Sequence, residues 1–133
     1  ISKMQVVHGA MAMVPENFDK FHVSDSYITL IPRRSNILYM PFFDHFSRQL
    51  KMYHMALISS YGVHIEKMTF NIASFLKKSI FIPVDISEQR AIAAVLDAAD
   101  KEIVLLEQKA ARLREEKKAL MQQLLTGKRR VRL

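Results

Sequence analysis

The sequence contains no cysteine and no tryptophan, and only three glycines and four prolines among its 133 residues. The lack of cysteine excludes disulfide bonds and thiolate metal sites and fits a reducing compartment, so we expect a cytoplasmic protein. No apolar run approaches the roughly 18 residues that a membrane span needs, and we expect no membrane partner. The chain begins with Ile and shows no cationic leader, which predicts an N-terminus cut from a longer protein without a signal peptide.

Motifs of catalysis are also missing. There is no Gly-rich phosphate loop, no G-x-S-x-G, no H-E-x-x-H and no paired-cysteine pattern. The histidines show no metal-ligand spacing, and we interpret each as a surface or packing residue. We therefore expect no enzyme, no cofactor and no metal. A small enzyme with a helical dimerisation arm stays an alternative only if the histidines converge in space; they are His8, His22, His45, His54 and His64.

The formal net charge of +7 makes nucleic acid or another acidic partner a reasonable expectation. Residues 1–86 carry nine Lys and Arg against six Asp and Glu, and residues 87–133 carry eleven against seven. Neither part is a polyelectrolyte. The basic tail over residues 128–133 is more typical of a solvated terminus than of a binding arm.

Two parts of the chain differ in their content of glycine and proline. All four prolines and two of the three glycines lie within the first 83 residues, which predicts short elements there. The predicted elements are strands over residues 9–15 and 27–32, a turn over 33–36, a helix over 41–57, an irregular segment over 59–70, one or two capped helical turns over 71–78 and a buried strand over 79–83. These elements describe a small α+β unit over residues 1–86 with a thin core.

From Ser87 to Thr126 the sequence has no glycine or proline, and Gly127 is a stop signal. We take Ser87 as the N-cap of one long helix over residues 87–127. Spacings of four and three continue through this helix, which predicts a coiled-coil seam for pairing with another helix. Nine of the ten seam positions are apolar, and the exception is Lys117. The seam consists of Ile92, Leu96, Ala99, Ile103, Leu106, Ala110, Leu113, Lys117, Leu120 and Leu124.

The length of this helix indicates that it docks against a partner. At about 1.5 Å per residue, residues 88–125 would extend roughly 57 Å, against a diameter of roughly 25–30 Å for a domain of this size. The alternative is a helix that folds back onto its own domain near Asp97 or Asp100, which would break the seam. Lys117 weakens the seam locally, and such a residue often fixes register.

The junction and the helix resemble a known family. A pattern IP-x-x-x-x-EQ, a spaced IA…L…D…I helix and a final K…LMQ-LLTG segment are similar to the specificity (S) subunits of type I restriction–modification systems. In those proteins the pattern marks the end of a target recognition domain and its conserved spacer helix. The matching residues are Ile82, Pro83, Glu88, Gln89, Ile92, Ala93, Leu96, Asp100, Ile103, Lys117, Leu120, Met121, Gln122, Leu124, Leu125, Thr126 and Gly127. Val84 stands where a second proline is common.

The resemblance implies a fold and a function. The fold would be α+β, with a small partial target recognition domain followed by one long coiled-coil helix. The chain would read one half-site of double-stranded DNA without catalysis. Its helix would pair with a second repeat or a second copy, and would dock the methyltransferase (modification) subunits and through them the restriction subunit. The chain would then be either a fragment or a natural half-subunit.

DNA recognition requires cations for phosphates and a few side chains at base edges. The turn at 33–36 offers two guanidiniums and an amide, and the segment YGVHIEK offers a glycine that permits close backbone approach. Further cations could serve as phosphate clamps. The predicted DNA-binding residues are Arg33, Arg34, Asn36, Arg48, Lys51, Tyr61, Gly62, His64 and Lys67.

A second interpretation comes from a different functional class. It is a coiled-coil adaptor whose globular part binds protein rather than DNA. The sequence leaves open the DNA sequence that is recognised and the parallel or antiparallel orientation of the helix pair.

Overall fold

The computed structural model describes residues 1–4, 6–18, 20–34, 36–62, 64 and 68–131. Two compact units divide the chain, Ile1–Ala94 and Val95–Leu133. The first contains all the short elements together with the beginning of a long helix. The second is the remainder of that helix and the segment after it.

The N-terminal segment of the first unit acts as a bridge between distant parts of the chain. The backbone N–H of Lys3 donates to the Ser26 carbonyl over 2.8 Å, and the Lys3 carbonyl accepts from the Phe70 N–H over 3.2 Å. Ser2 and Tyr27 form an isolated antiparallel bridge. Two short 3₁₀ helices follow the segment, at Val6–His8 and Glu16–Phe18.

Two helices occupy the region where the sequence predicts one. Helix α1 spans Met40–Ser47 and helix α2 spans Leu50–Leu57. The chain breaks at Gln49, whose ψ of 147° is extended and whose carbonyl accepts the first N–H bonds of α2. The prediction of a single helix over residues 41–57 is therefore wrong.

The break in the helix changes which residues are buried. Leu50, an apolar residue near the middle of the predicted helix, is 83% exposed. Met52, Met55 and Ala56 are buried instead, because α2 presents that face to the core. The core consists of Val6, Met11, Met52, Met55, Ala56, Phe70 and Phe75.

A minimal hairpin and a short helix complete the α+β part. Strand β1, Ser60–Tyr61, pairs antiparallel with strand β2, Thr69–Phe70. Helix α3, Ile72–Leu76, is capped by Asn71, whose side-chain oxygen accepts from the Ser74 N–H over 3.0 Å. Since an Asn oxygen satisfies a first-turn N–H, the predicted capped turn is confirmed.

The three predicted strands over residues 9–15, 27–32 and 79–83 do not form. Within those ranges the structure has no strand, and only Tyr27 takes part in a bridge. Phe81, predicted to lie in a buried strand, is 86% exposed. The first two segments meet the N-terminal residues only briefly: Ser2 donates to the Ala10 carbonyl, and Ile1 and Ile28 exchange backbone hydrogen bonds. A strand requires such pairing over several successive residues.

Helix α4 spans Ile86–Leu125, forty residues, and its cap differs from the prediction. Ser87 lies inside the helix, and Asp85 is the capping residue. One carboxylate oxygen of Asp85 accepts from the Ser87 N–H over 2.8 Å, and the other accepts from the Ser87 hydroxyl over 2.5 Å. With Asp85 as N-cap, Glu88 takes the third helical position, which is the spacing of a capping box. The sequence prediction therefore placed the N-cap two residues too late, at Ser87 instead of Asp85.

The helix ends where the sequence predicts. Gly127 has a φ of +73°, a left-handed conformation that favours glycine, and its N–H donates to the Leu124 carbonyl over 3.2 Å. The prediction of an α+β fold that ends in one long helix is confirmed. Within the described part of the chain, no helix is both long enough and apolar enough to cross a membrane.

Candidate nucleic-acid interface

The turn before α1 carries three of the predicted DNA-binding residues. Arg33, Arg34 and Asn36 are all exposed. The two arginines border an open groove of about 360 Å³, which Pro32, Ile37 and Leu38 also line. Guanidinium groups beside an apolar surface suit a ligand with anionic edges and flat faces, such as a nucleotide chain.

A single buried side chain holds the end of this turn. Gln89, in the first turns of α4, is fully buried. Its Oε1 accepts from the Tyr39 N–H over 2.8 Å, and its Nε2 donates to the carbonyls of Ile37 over 2.9 Å and Pro83 over 2.7 Å. Because an amide offers one acceptor group and two N–H donors, this environment uses both halves of the side chain.

The residue after Gln89 adds a second contact to the same segment. The guanidinium of Arg90 lies 4.9 Å from the centroid of the Tyr39 ring, a cation–π distance. Two successive residues of α4 therefore bind the segment that follows the turn. Sequence reasoning identified Gln89 only through the family resemblance and missed this role, since its partners at Ile37 and Tyr39 lie 52 and 50 positions away.

The second predicted group lies at the end of β1 and in the connection between β1 and β2. Tyr61 is 63% exposed, and His64 is also exposed. Gly62 has a φ of +152°, which favours glycine and leaves the backbone uncovered by a side chain. Lys67, the remaining predicted residue of this group, lies outside the described residues.

The predicted phosphate clamps at the start of α2 already have protein partners. Arg48 forms a 2.5 Å ion pair with Asp44, and Asp44 also accepts from the Met13 N–H over 2.6 Å. The Lys51 ammonium lies 5.5 Å from the centroid of the Phe81 ring. Both cations remain exposed, but Arg48 is partly neutralised. The predicted residues thus occupy three segments: the turn before α1, the α1–α2 junction and the β1–β2 connection.

Acidic and metal-ligating residues do not form a reactive cluster in the part of the chain that the structure describes. No group of three His, Cys, Asp or Glu side chains there could hold a metal ion. Asp85 has a pKa below its ordinary value, chiefly because the Ser87 hydroxyl hydrogen-bonds its carboxylate and secondly because the Ser87 N–H does so. The lowered pKa of Asp85 is thus explained by its role as the helix cap.

The second unit presents the predicted seam on an uncovered helix. From Val95 to Leu125 every residue is exposed apart from Ala110, which is half-buried. The large apolar seam residues of this unit are between 40% and 57% exposed; they are Leu96, Ile103, Leu106, Leu113, Leu120 and Leu124. Ile92 differs from these residues because it is half-buried within the first unit, and Lys117 is the charged member of the exposed seam.

Comparison with known proteins gives one match. The family model described as "Type I restriction modification DNA specificity domain" matches residues 4–115. This range includes the turn before α1, the β1–β2 connection and most of α4. No curated protein and no solved structure matches the chain.

Proposed function

Since the chain belongs to the family of type I restriction–modification DNA specificity domains, we propose that it reads one half-site of a split DNA sequence. The observation that carries the proposal is the match over residues 4–115, which covers the exposed Arg33–Arg34 turn and the β1–β2 connection together. We propose no catalytic activity for the chain. We also propose a cytoplasmic location, where its DNA substrate would be found.

The turn before α1 supports DNA contact through its chemistry. Arg33 and Arg34 can each grip a phosphate or the O6 and N7 edge of guanine, and Asn36 has the amide that reads adenine. The β1–β2 connection would add Tyr61, Gly62, His64 and Lys67. Arg48 and Lys51 would supply charge to the phosphate backbone, where position matters less than at a base edge.

We further propose that α4 pairs with a second copy of itself or with another conserved helix of the same kind. The exposed seam supports this, because a long row of large apolar side chains exposed on a helix is an unstable surface unless a partner covers it. The proposed division of the chain is a partial target recognition domain over residues 1–86, a pairing helix over residues 87–127 and a basic tail over residues 128–133.

Charge along α4 supports antiparallel rather than parallel self-pairing. Residues 86–107 contain five acidic and two basic side chains, a net charge of −3, whereas residues 108–125 contain five basic and two acidic ones, a net charge of +3. Antiparallel pairing places each half beside the opposite charge. In a parallel in-register pair, the flanking positions would bring Glu102 towards Glu107 and Lys109 towards Arg114 of the other copy, which are like charges.

The opposite side of α4 supports docking of the modification subunits, and of the restriction subunit through them. Val104 and Leu105 are 49% and 64% exposed and lie away from the seam. Together with Asp100 and Lys101 they form an open, largely apolar surface on that side of the helix. A helix with apolar groups on two sides can contact a pairing helix and a second protein at the same time.

Selection of duplexes from a random library at fixed salt, with and without the modification subunit, tests the DNA proposal. Arg33→Glu combined with Arg34→Glu should abolish selection and lower the salt dependence of binding by about two ion equivalents. The matched control is Lys128→Glu with Arg129→Glu, which changes the net charge equally and should retain selection. If both double variants lose affinity equally, binding is only electrostatic. If no duplex is selected, the protein-binding adaptor becomes the better interpretation.

Light scattering across a concentration series tests the pairing proposal. The wild-type chain should form a dimer, and Leu106→Asp should dissociate it because a charge would enter the seam. Val104→Asp is the matched control on the other side of the helix; it should leave the dimer intact and weaken association with a modification subunit. A wild-type chain that stays monomeric at high concentration would contradict self-pairing.

A further inference from the structure

We propose that Gln89 is a specificity-positioning residue, which locks the Arg33–Arg34 turn onto the first turns of α4 and so preorganises that turn to read bases. The inference rests on the proposed function, because it takes this turn as a DNA-reading element. It adds a residue that contacts no DNA and acts through the turn.

The geometry of the lock is specific to one short segment. The side chain of Gln89 binds the backbone on both sides of Leu38, at the Ile37 carbonyl and the Tyr39 N–H. Its second donated bond, to the Pro83 carbonyl, fixes the segment that leads into α4. The segment after the turn and the segment before the helix are therefore held by the same amide group.

The turn itself has few other backbone restraints among those that the structure describes. The Ile37 N–H donates to the Arg34 carbonyl over 3.3 Å, and Arg33, Arg34 and Asn36 are exposed. The position of the turn therefore depends on the anchor that follows it. A fully buried amide with three hydrogen bonds is a rigid anchor, because leaving any of its partners unpaired in the interior is costly.

Preorganisation of this kind affects base reading more than phosphate binding. A bidentate contact to a base edge requires a fixed distance and direction, whereas a phosphate contact tolerates a shift of the cation. Loss of the anchor should therefore lower the preference for the selected duplex and leave binding to other duplexes nearly unchanged. Partial unfolding would act differently, since it removes active protein and weakens binding to every duplex by the same factor.

The experiment measures the ratio of affinities for the selected duplex and a scrambled duplex of equal length. Gln89→Met fills the same volume without any hydrogen bond, and Gln108→Met is the matched control at an exposed glutamine of the same helix. We expect the ratio to fall at least about tenfold for Gln89→Met, equal to about 1.4 kcal/mol of lost discrimination. The salt dependence should be unchanged, because no charge is removed, and Gln108→Met should keep the wild-type ratio.

Each other outcome overturns the inference in a recognisable way. If Gln89→Met lowers both affinities by one common factor, Gln89 is only a structural residue. If the ratio is unchanged while Arg33→Glu with Arg34→Glu abolishes selection, the turn reads DNA without this anchor. If the wild-type chain selects no duplex, the proposed function fails and the inference fails with it.

A second variant keeps the test decisive if circular dichroism shows that Gln89→Met does not fold. Gln89→Asn keeps an amide with the same donors and acceptor but is one methylene shorter, so it cannot reach the Tyr39, Ile37 and Pro83 backbone groups together. Its affinity ratio should fall below that of the wild type, with the salt dependence kept because the charge is unchanged. A wild-type ratio in a folded Gln89→Asn protein would overturn the proposal.

Discussion

A steric contact between Gly9 and Tyr53 allows the packing of the first unit to be tested quantitatively. Gly9 follows the first 3₁₀ helix and has a φ of +87°. A Cβ atom built on Gly9 would lie 2.7 Å from both the Cζ and the hydroxyl oxygen of Tyr53. Separations under about 3 Å are not tolerated, so either the ring or the backbone must move. Gly9→Ala therefore combines backbone strain with overpacking.

The two contributions can be estimated separately. A left-handed conformation costs an L-residue about 1–2 kcal/mol, and overpacking of a filled site costs about 1–3 kcal/mol. Gly9→Ala should then lower the free energy of unfolding by about 2–5 kcal/mol. Gly127→Ala is the control for strain alone, because Gly127 has a φ of +73° and nothing lies within 4 Å of a Cβ atom built on it.

Urea denaturation measures these costs, followed by tyrosine fluorescence for Gly9→Ala and by the circular dichroism of the long helix for Gly127→Ala. The chain has no tryptophan, and its four tyrosines all lie in the first unit, at positions 27, 39, 53 and 61. In a double-mutant cycle, Tyr53→Ala should remove the steric part, so that Gly9→Ala in that background costs only about 1–2 kcal/mol. An equal cost of Gly9→Ala in both backgrounds would refute the steric argument.

Further predictions concern the helix cap, two buried serines and the lysine in the seam. The hydrogen bonds from Ser87 lower the pKa of Asp85 below its ordinary 3.8. The stability that Asp85 adds is therefore complete above pH 3.8 and is lost as the pH falls through the lowered pKa. In thermal melts between pH 6 and 2, the stability advantage of the wild type over Asp85→Asn should vanish at the acid end. Ser59→Ala should be neutral or slightly stabilising in urea, because the buried Ser59 hydroxyl has no hydrogen-bond partner among the described residues. Ser47→Ala should cost about 1 kcal/mol, because its buried hydroxyl donates to the Asp44 carbonyl over 2.7 Å. Lys117→Leu should shift self-association to lower concentration in sedimentation analysis, since it makes the seam continuous.

The long helix could be predicted because its signals are local and repeated. The absence of Gly and Pro between Ser87 and Thr126, and apolar spacings of three and four, depend only on neighbouring residues. The observed bounds of Ile86–Leu125 agree with that pattern. The cap was less predictable, because Asp85 and Ser87 are both good caps and only the geometry shows which one lies outside the helix.

The short elements could not be predicted in the same way because their formation depends on distant partners. The segment over residues 27–32 has the composition of a strand, yet only Tyr27 meets a bridging residue, Ser2. No Gly or Pro at or beside Gln49 predicts the break between α1 and α2. The break lets Met52 and Met55 reach the core, which is a tertiary effect that no local pattern records.

Gln89 shows which part of the candidate site can be predicted from the sequence and which part cannot. The pattern located the residue, and local rules would place a polar side chain in the first turns of a helix towards water. The actual environment requires one acceptor, for the Tyr39 N–H, and two donors, for the Ile37 and Pro83 carbonyls. A carboxylate lacks the donors and an ammonium lacks the acceptor, so among long polar side chains only the amide of glutamine satisfies all three. Two of these three contacts lie about fifty positions away, so the requirement for glutamine becomes visible only when the turn and the helix are folded together.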